Sequence, residues 1–197
     1  MDILSSLPEG NWKLNKQRIP LLEPESFPPK QQAILAGLRK ASKAERNYNV
    51  FLILAKLGDG LSQYLPFFSN LLFAGKISRV DKEKIVLRVA WRVGCAYEWV
   101  HHTKLSMLLG ISMSEIKSMA LEYSDSWTPR VAAFVHASDE LLASKTLSDS
   151  TWEELREHLS DDEIVEFCFL VGHYVMVAMT INTSGIPVEP ELLKSIA

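Results

Sequence analysis

Cysteine is scarce in this sequence: there are two, Cys95 and Cys168, each inside an apolar stretch. Two isolated thiols do not make a secreted, disulfide-stapled scaffold, and they suit a reducing, cytoplasmic setting. Metal-ligand spacing is also missing. No HExxH occurs, and His101 and His102 are adjacent, so on a helix they diverge. There is no GxGxxG and no Walker pattern, which removes the usual phosphate-cradling loops. Lys and Arg never form a block of five, and the formal net charge is −3, so no electrostatic footprint for nucleic acid or an anionic membrane is present. The longest apolar stretch, Cys168 to Ile181, is fourteen residues with His173 inside it, short for a bilayer span. The N-terminus lacks the basic start and apolar core of a signal peptide. No segment alternates apolar and polar residues over strand length. The expectation is a protein without metal or cofactor, whose partners are a small-molecule substrate and further copies of itself.

What is present reads as helix. The 197 residues are 47% hydrophobic and 23% charged, enough to bury a core without staples. Five of the nine prolines precede residue 30, so 1–29 is an extended arm with Trp12, Ile19, Leu21 and Leu22 to bury against its own domain or a neighbouring subunit. Residues 30–197 form one all-α domain. The pattern predicts helices near 30–43, 49–57, 61–74, 80–93, 96–109, 112–122, 128–144, 149–158 and 161–183. Capping residues mark several starts, among them Ser112 with Glu115, Thr128 before Pro129, Ser148 or Ser150, and Ser160. Gly58, Gly75, Gly110 and Gly185 mark stops. The last long helix is apolar nearly all round and belongs at the centre. The arm and the aromatic 61–74 segment supply surface for a homo-oligomer.

Chemistry is concentrated in "CAYEWVHH", Cys95 to His102, which carries a thiol, a phenol, a carboxylate, an indole and two imidazoles. At about 100° per residue, Cys95, Glu98 and His102 share one face, while His101 points elsewhere. Glu98 and His102, one turn apart, can touch and would then titrate together. Upstream, Glu83 lies roughly 18 Å from Cys95 along an unbroken helix. It reaches the same site only if the chain breaks at Gly94. Such a break puts Cys95 at a helix N-terminus, where unpaired N–H groups lower a thiol's pKa.

The order Glu83, eleven residues, Cys95, two residues, Glu98, three residues, His102 resembles the carboxymuconolactone decarboxylase/alkylhydroperoxidase D-like superfamily. Its peroxidase branch has a second cysteine where this chain has Glu98. "AYEWVHHTKLSMLLGIS" is similar to the cysteine-poor branch, and the core resemblance covers about residues 50 to 125. The resemblance implies an all-α, often trimeric or hexameric protein, with members that decarboxylate lactone acids or reduce peroxides with thiols.

Three readings follow. The first is a cofactor-free, decarboxylase-like enzyme with Glu83, Glu98 and His102 catalytic and Cys95, Tyr97, Trp99 and His173 lining the substrate site. The second is a thiol peroxidase using Cys95, resolved by Cys168 or an external thiol. The third is a non-catalytic member that binds a small hydrophobic acid. His136 and His158 read as surface groups. Tyr174, beside His173 in the most apolar helix, reads as core with the option of facing a pocket.

Overall fold

The computed structural model describes residues 7–196, with side chains through Lys194. Among them every regular element is helical. The helices are α1 (Pro29–Ser42), α2 (Asn49–Leu54), α3 (Gly60–Ser69), α4 (Arg79–Val93), α5 (Ala96–Leu108), α6 (Met113–Ser118), α7 (Pro129–Ser144), α8 (Asp149–Arg156), α9 (Asp161–Ser184) and α10 (Pro190–Ile196).

Helix α4 is the hub. Ser78 caps it by accepting from the Asp81 N–H at 3.1 Å. Its apolar residues Ile85, Val86, Leu87, Val89 and Ala90 are all buried, because α5, α7 and α9 each cover part of its surface. Ile85, Val86 and Val89 share a core with Phe134 of α7 and with Phe167, Leu170 and Val171 of α9. Charge is buried here as well. Arg88 holds Asp139 of α7 through two bonds of 2.8 and 2.5 Å and also donates to the Met119 carbonyl. A pair like this fixes the geometry of three elements more than it stabilises them, since desolvation offsets most of the attraction.

Gly94 ends α4 at φ 69°, a left-handed conformation that favours glycine. The chain turns there and α5 runs back along α4, which is the break that Glu83 needs. The arm uses the same residue. Its Lys13 N–H donates to the Gly94 carbonyl at 2.8 Å, and a Cβ on Gly94 would lie 2.2 Å from the Asn11 carbonyl oxygen. Further along, the Arg18 N–H donates to the Ser184 carbonyl at 2.7 Å. The arm, from residue 7 on, therefore wraps its own domain.

Element boundaries differ from expectation in several places. The 61–74 segment is not one α-helix: Pro66 sits inside α3, and the chain widens to a π-turn over Asn70–Ala74. Proline removes a ladder donor, so the helix cannot continue unperturbed past it. Helix α6 stops at Ser118, short of residue 122. Helix α10 was not expected, being too short for periodicity to reveal. Helix α9 has 24 residues and by length and composition could cross a membrane, a stronger signal than its fourteen-residue apolar run gave. In this fold it is a core helix, with Ile164, Phe167, Leu170, Val171 and Tyr174 in the central cluster.

Candidate active site

Because α4 and α5 run antiparallel from Gly94, residues far apart in sequence come level. Glu83 on α4 is fully buried, and its Oε2 lies 2.6 Å from His102 Nδ1 on α5. Its other oxygen accepts from Arg79, one turn earlier, at 2.8 Å. Arg79 is itself fixed by donating to the Leu72 carbonyl at 2.6 Å and by lying over the Phe73 ring, 4.6 Å from the centroid. A carboxylate held by a guanidinium accepts the imidazole proton, so Nδ1 carries the hydrogen and Nε2 is the free nitrogen.

His102 lines a cavity of about 440 Å³ between α2, α3, α5 and α9. Its wall is mainly apolar and aromatic, with Phe51, Tyr64, Phe68, Leu72 and Leu105 among the lining residues. Polar groups among the lining residues include Glu98, His101, His102, Lys104, Tyr97 and Tyr174.

Glu98 is buried, and neither carboxyl oxygen has a hydrogen-bond partner. Burial pushes its pKa well above the ordinary carboxyl range; the Cys95 thiol beside it pulls only weakly the other way. A thiol is a poor donor, and it does not satisfy the carboxyl. Burial therefore favours the protonated, neutral form of Glu98. The Tyr174 hydroxyl is likewise buried without a partner, and its ring meets His102 edge-on, centroids 4.9 Å apart. Two buried polar groups without a partner among the described residues, both on residues that line one apolar cavity, are unusual, since buried polar atoms are nearly always paired. They are complementary to a ligand that brings its own donors and acceptors.

The expected Glu98–His102 contact is not made. His102 turns to Glu83 instead, so the two groups do not form the jointly titrating pair that their spacing suggested. Cys95 is buried in a cluster with Tyr97, Val100 and Ile181, off the cavity wall. It does sit at the N-terminus of α5, but burial outweighs the helix end and pushes the thiol well up, not down. Cys168 is exposed on another helix. Trp99 also lies elsewhere: it packs against Trp12 of the arm, ring centroids 5.7 Å apart, about 100° round the helix from Glu98. His173 stands behind the wall, its Nε2 3.2 Å from the Tyr64 hydroxyl, and burial lowers its pKa to about 4. Its neighbour Tyr174 takes the cavity position.

His101, expected to point away, lines the cavity after all. The cavity embraces enough of α5 to include positions three and four residues beyond Glu98. His101 Nε2 is 2.8 Å from Glu189, which also accepts from the Tyr97 hydroxyl at 2.8 Å and from the Asn49 N–H at 2.6 Å. Tyr97 thus has a cavity position and a structural bond at once. Glu189 comes from the segment before α10, and no spacing rule links it to α5. Among the described residues no group of three or more His, Cys, Asp or Glu side chains is arranged to hold a metal ion.

The model of the carboxymuconolactone decarboxylase family matches residues 59–140, which carry the Glu83–His102 pair and Glu98. Over residues 59–140 the chain is thus similar to that family. Its fold is similar to that of a peroxidase-related protein with an alkylhydroperoxidase core from Ralstonia eutropha JMP134, at TM-score 0.79 and 21% identity, covering 91% of this chain and 95% of that one. A peroxidase-related protein from Silicibacter sp. TM1040 is similar at TM-score 0.77 and 16% identity, covering 96% of this chain and 98% of the other. The debrominase Bmp8 is similar at TM-score 0.69 and 14% identity, over 90% and 96% of the two chains. No curated protein matches the sequence significantly. At these identities the structural likeness speaks for the superfamily's fold and not for any one activity.

Proposed function

We propose that this protein is a cofactor-free acid–base enzyme of the decarboxylase-like kind, acting on a small cyclic or lactone-type carboxylic acid. The observation that carries the reading is Glu98: a buried carboxyl group without a hydrogen-bond partner among the described residues, pushed by burial toward its neutral form, on a residue that lines a largely apolar cavity. A substrate carboxylate loses its hydration in such a site. Its C–C bond breaks, carbon dioxide leaves, and the electron pair passes into the conjugated carbonyl of the ring. The Tyr174 hydroxyl hydrogen-bonds the oxyanion that forms there. Glu98 then gives its proton to carbon. His102, held in one tautomer by Glu83, relays a replacement proton from solvent through Nε2.

Against a thiol peroxidase stand the buried, poorly ionised Cys95 and the absence of a second cysteine beside it. We further propose a cytoplasmic homo-oligomer. The arm is accounted for within one chain, but Phe67, Phe73, Val165, Phe169, Met176 and Met179 leave large apolar side chains exposed around α3 and α9.

The test is carbon dioxide release from a panel of unsaturated lactone acids and cyclic keto acids, run beside peroxide consumption with dithiothreitol. Turnover of a panel acid that Glu98→Gln abolishes supports the proposal. Peroxide consumption that Cys95→Ala abolishes overturns it in favour of the thiol reading. Thermal shifts by panel acids without any turnover would favour a binding protein.

A further inference from the structure

The cavity lining holds further polar groups that this mechanism leaves unused. His101 and His102 each hold a glutamate, but they hold it through opposite ring nitrogens: His102 through Nδ1 to Glu83, His101 through Nε2 to Glu189. The Tyr97 and Asn49 bonds fix Glu189 from two other sides, and together with the His101 bond they outweigh its burial and hold its carboxyl below the usual range. Glu189 is thus an anion and an acceptor, so His101 Nε2 carries the hydrogen. Among the described residues its Nδ1 has no hydrogen-bond partner. The ring is clamped flat: Tyr97 stacks on it at 4.3 Å between centroids and Tyr48 meets it edge-on at 4.9 Å. Burial lowers the imidazole pKa, more than Glu189 raises it, and the charges of His102 and Lys104 act in the same direction as burial. Lys104, one turn further along α5, lines the same cavity.

We infer that His101, oriented by Glu189, is a second base of this cavity, and that the ligand carries an acidic hydroxyl, a phenol or enol, on the side where His101 and Lys104 line the wall. The step is a proton transfer alone. The ligand O–H bond breaks, an N–H bond forms at His101 Nδ1, and no electrons are exchanged. The product is an oxyanion beside two cations, imidazolium and Lys104, with Glu189 balancing the first. A neutral imidazole held by a carboxylate at its far nitrogen is the arrangement that such a transfer needs. Glu98 and Lys104 are six residues apart, about 9 Å along the helix axis. A six-membered ring with groups at opposite positions spans that gap. The inference rests on the reading of this cavity as the reaction site, but it concerns the other end of the ligand.

The probe is 4-nitrophenol, whose ionised form absorbs at longer wavelength than its neutral form. It is titrated with protein one unit below its own pKa, where about a tenth of the free probe is ionised. The wild type should raise the ionised fraction at least threefold at saturation. His101→Asn and Glu189→Gln should each return it to the free value. Lys104→Met, a change at a partly exposed position, should at least halve the rise, and it covers the case in which the buried variants fold poorly. His136→Asn, at an exposed position away from the cavity, should leave the rise intact. The inference is overturned if the wild type produces no rise, if His101→Asn and Lys104→Met both keep it, or if His136→Asn removes it. A rise lost in His101→Asn, together with unchanged turnover of the acid panel in Glu98→Gln, would keep the second base and discard the decarboxylation reading.

Discussion

Glu83 Oε2 and His102 Nδ1 lie 2.6 Å apart across nineteen residues of chain. The contact exists because Gly94 turns α4 into α5. It also separates His102 from Glu98, so that one carboxyl group orients the imidazole and the other stays free to act as an acid. The consequences can be measured.

Glu98→Gln and His102→Gln should each lower turnover by roughly 10²–10⁴-fold, the usual worth of a positioned acid or base. The double variant should lose little more than the worse single, because the two act in one proton path. Glu83→Gln should show a similar defect to His102→Gln with the imidazole still present. Its neutral amide presents a donor as readily as an acceptor and no longer dictates the tautomer. Steady-state rates on the best panel acid check all four.

Thiol chemistry separates the two cysteines. In the native protein one thiol per chain, Cys168, should react with a thiol reagent within minutes, and a second, Cys95, only in denaturant. Cys95→Ala should leave turnover within a few-fold of wild type. A fast-reacting native Cys95 would mean that the thiol is ionised and that burial does not control it.

His173 should make the fold acid-sensitive. Burial takes its pKa from 6.5 to about 4. Between those values the unfolded chain binds a proton that the folded chain refuses. Stability is therefore complete above pH 6.5 and declines as pH falls toward about 4. Thermal unfolding at several pH values should show this decline, and His173→Phe, which keeps a ring against Tyr64 and Phe68, should flatten it.

Gly94→Ala should cost about 1–3 kcal/mol, the penalty for forcing a Cβ into a left-handed site. The Asn11 carbonyl, 2.2 Å from where that Cβ would be, must also move, so the arm should loosen. Denaturant unfolding measures the first effect, and proteolysis near residue 11 the second.

Sedimentation at micromolar concentration should give a species larger than a monomer. Phe169→Glu and Met176→Glu, both at exposed positions on α9, should shift it toward monomer.

The sequence made some of this legible, for identifiable reasons. Helix starts at Ser112, Ser148 and Ser160 were readable because capping is local chemistry. The Gly94 turn was readable because a glycine interrupts an otherwise continuous pattern. Partnership was harder. Helix spacing correctly placed Glu98 and His102 on one face, but it could not say that Glu83 would claim the imidazole. The angle of about 100° between His101 and His102 was right; the width of the cavity was not knowable from one helix. Glu189 and Tyr174 joined the site through tertiary packing alone. Lys82 gave no signal either: its charge reads as surface, yet it is buried against Glu166 at 2.7 Å.

The most direct measurement is the protonation state of Glu98. Infrared difference spectra of wild type against Glu98→Gln at neutral pH isolate that one side chain. A protonated carboxyl stretch present in the wild type and missing from the variant is the expected result. Carboxylate bands alone would show that Glu98 is ionised in the cavity, and the acid on which the proposed chemistry depends would not exist.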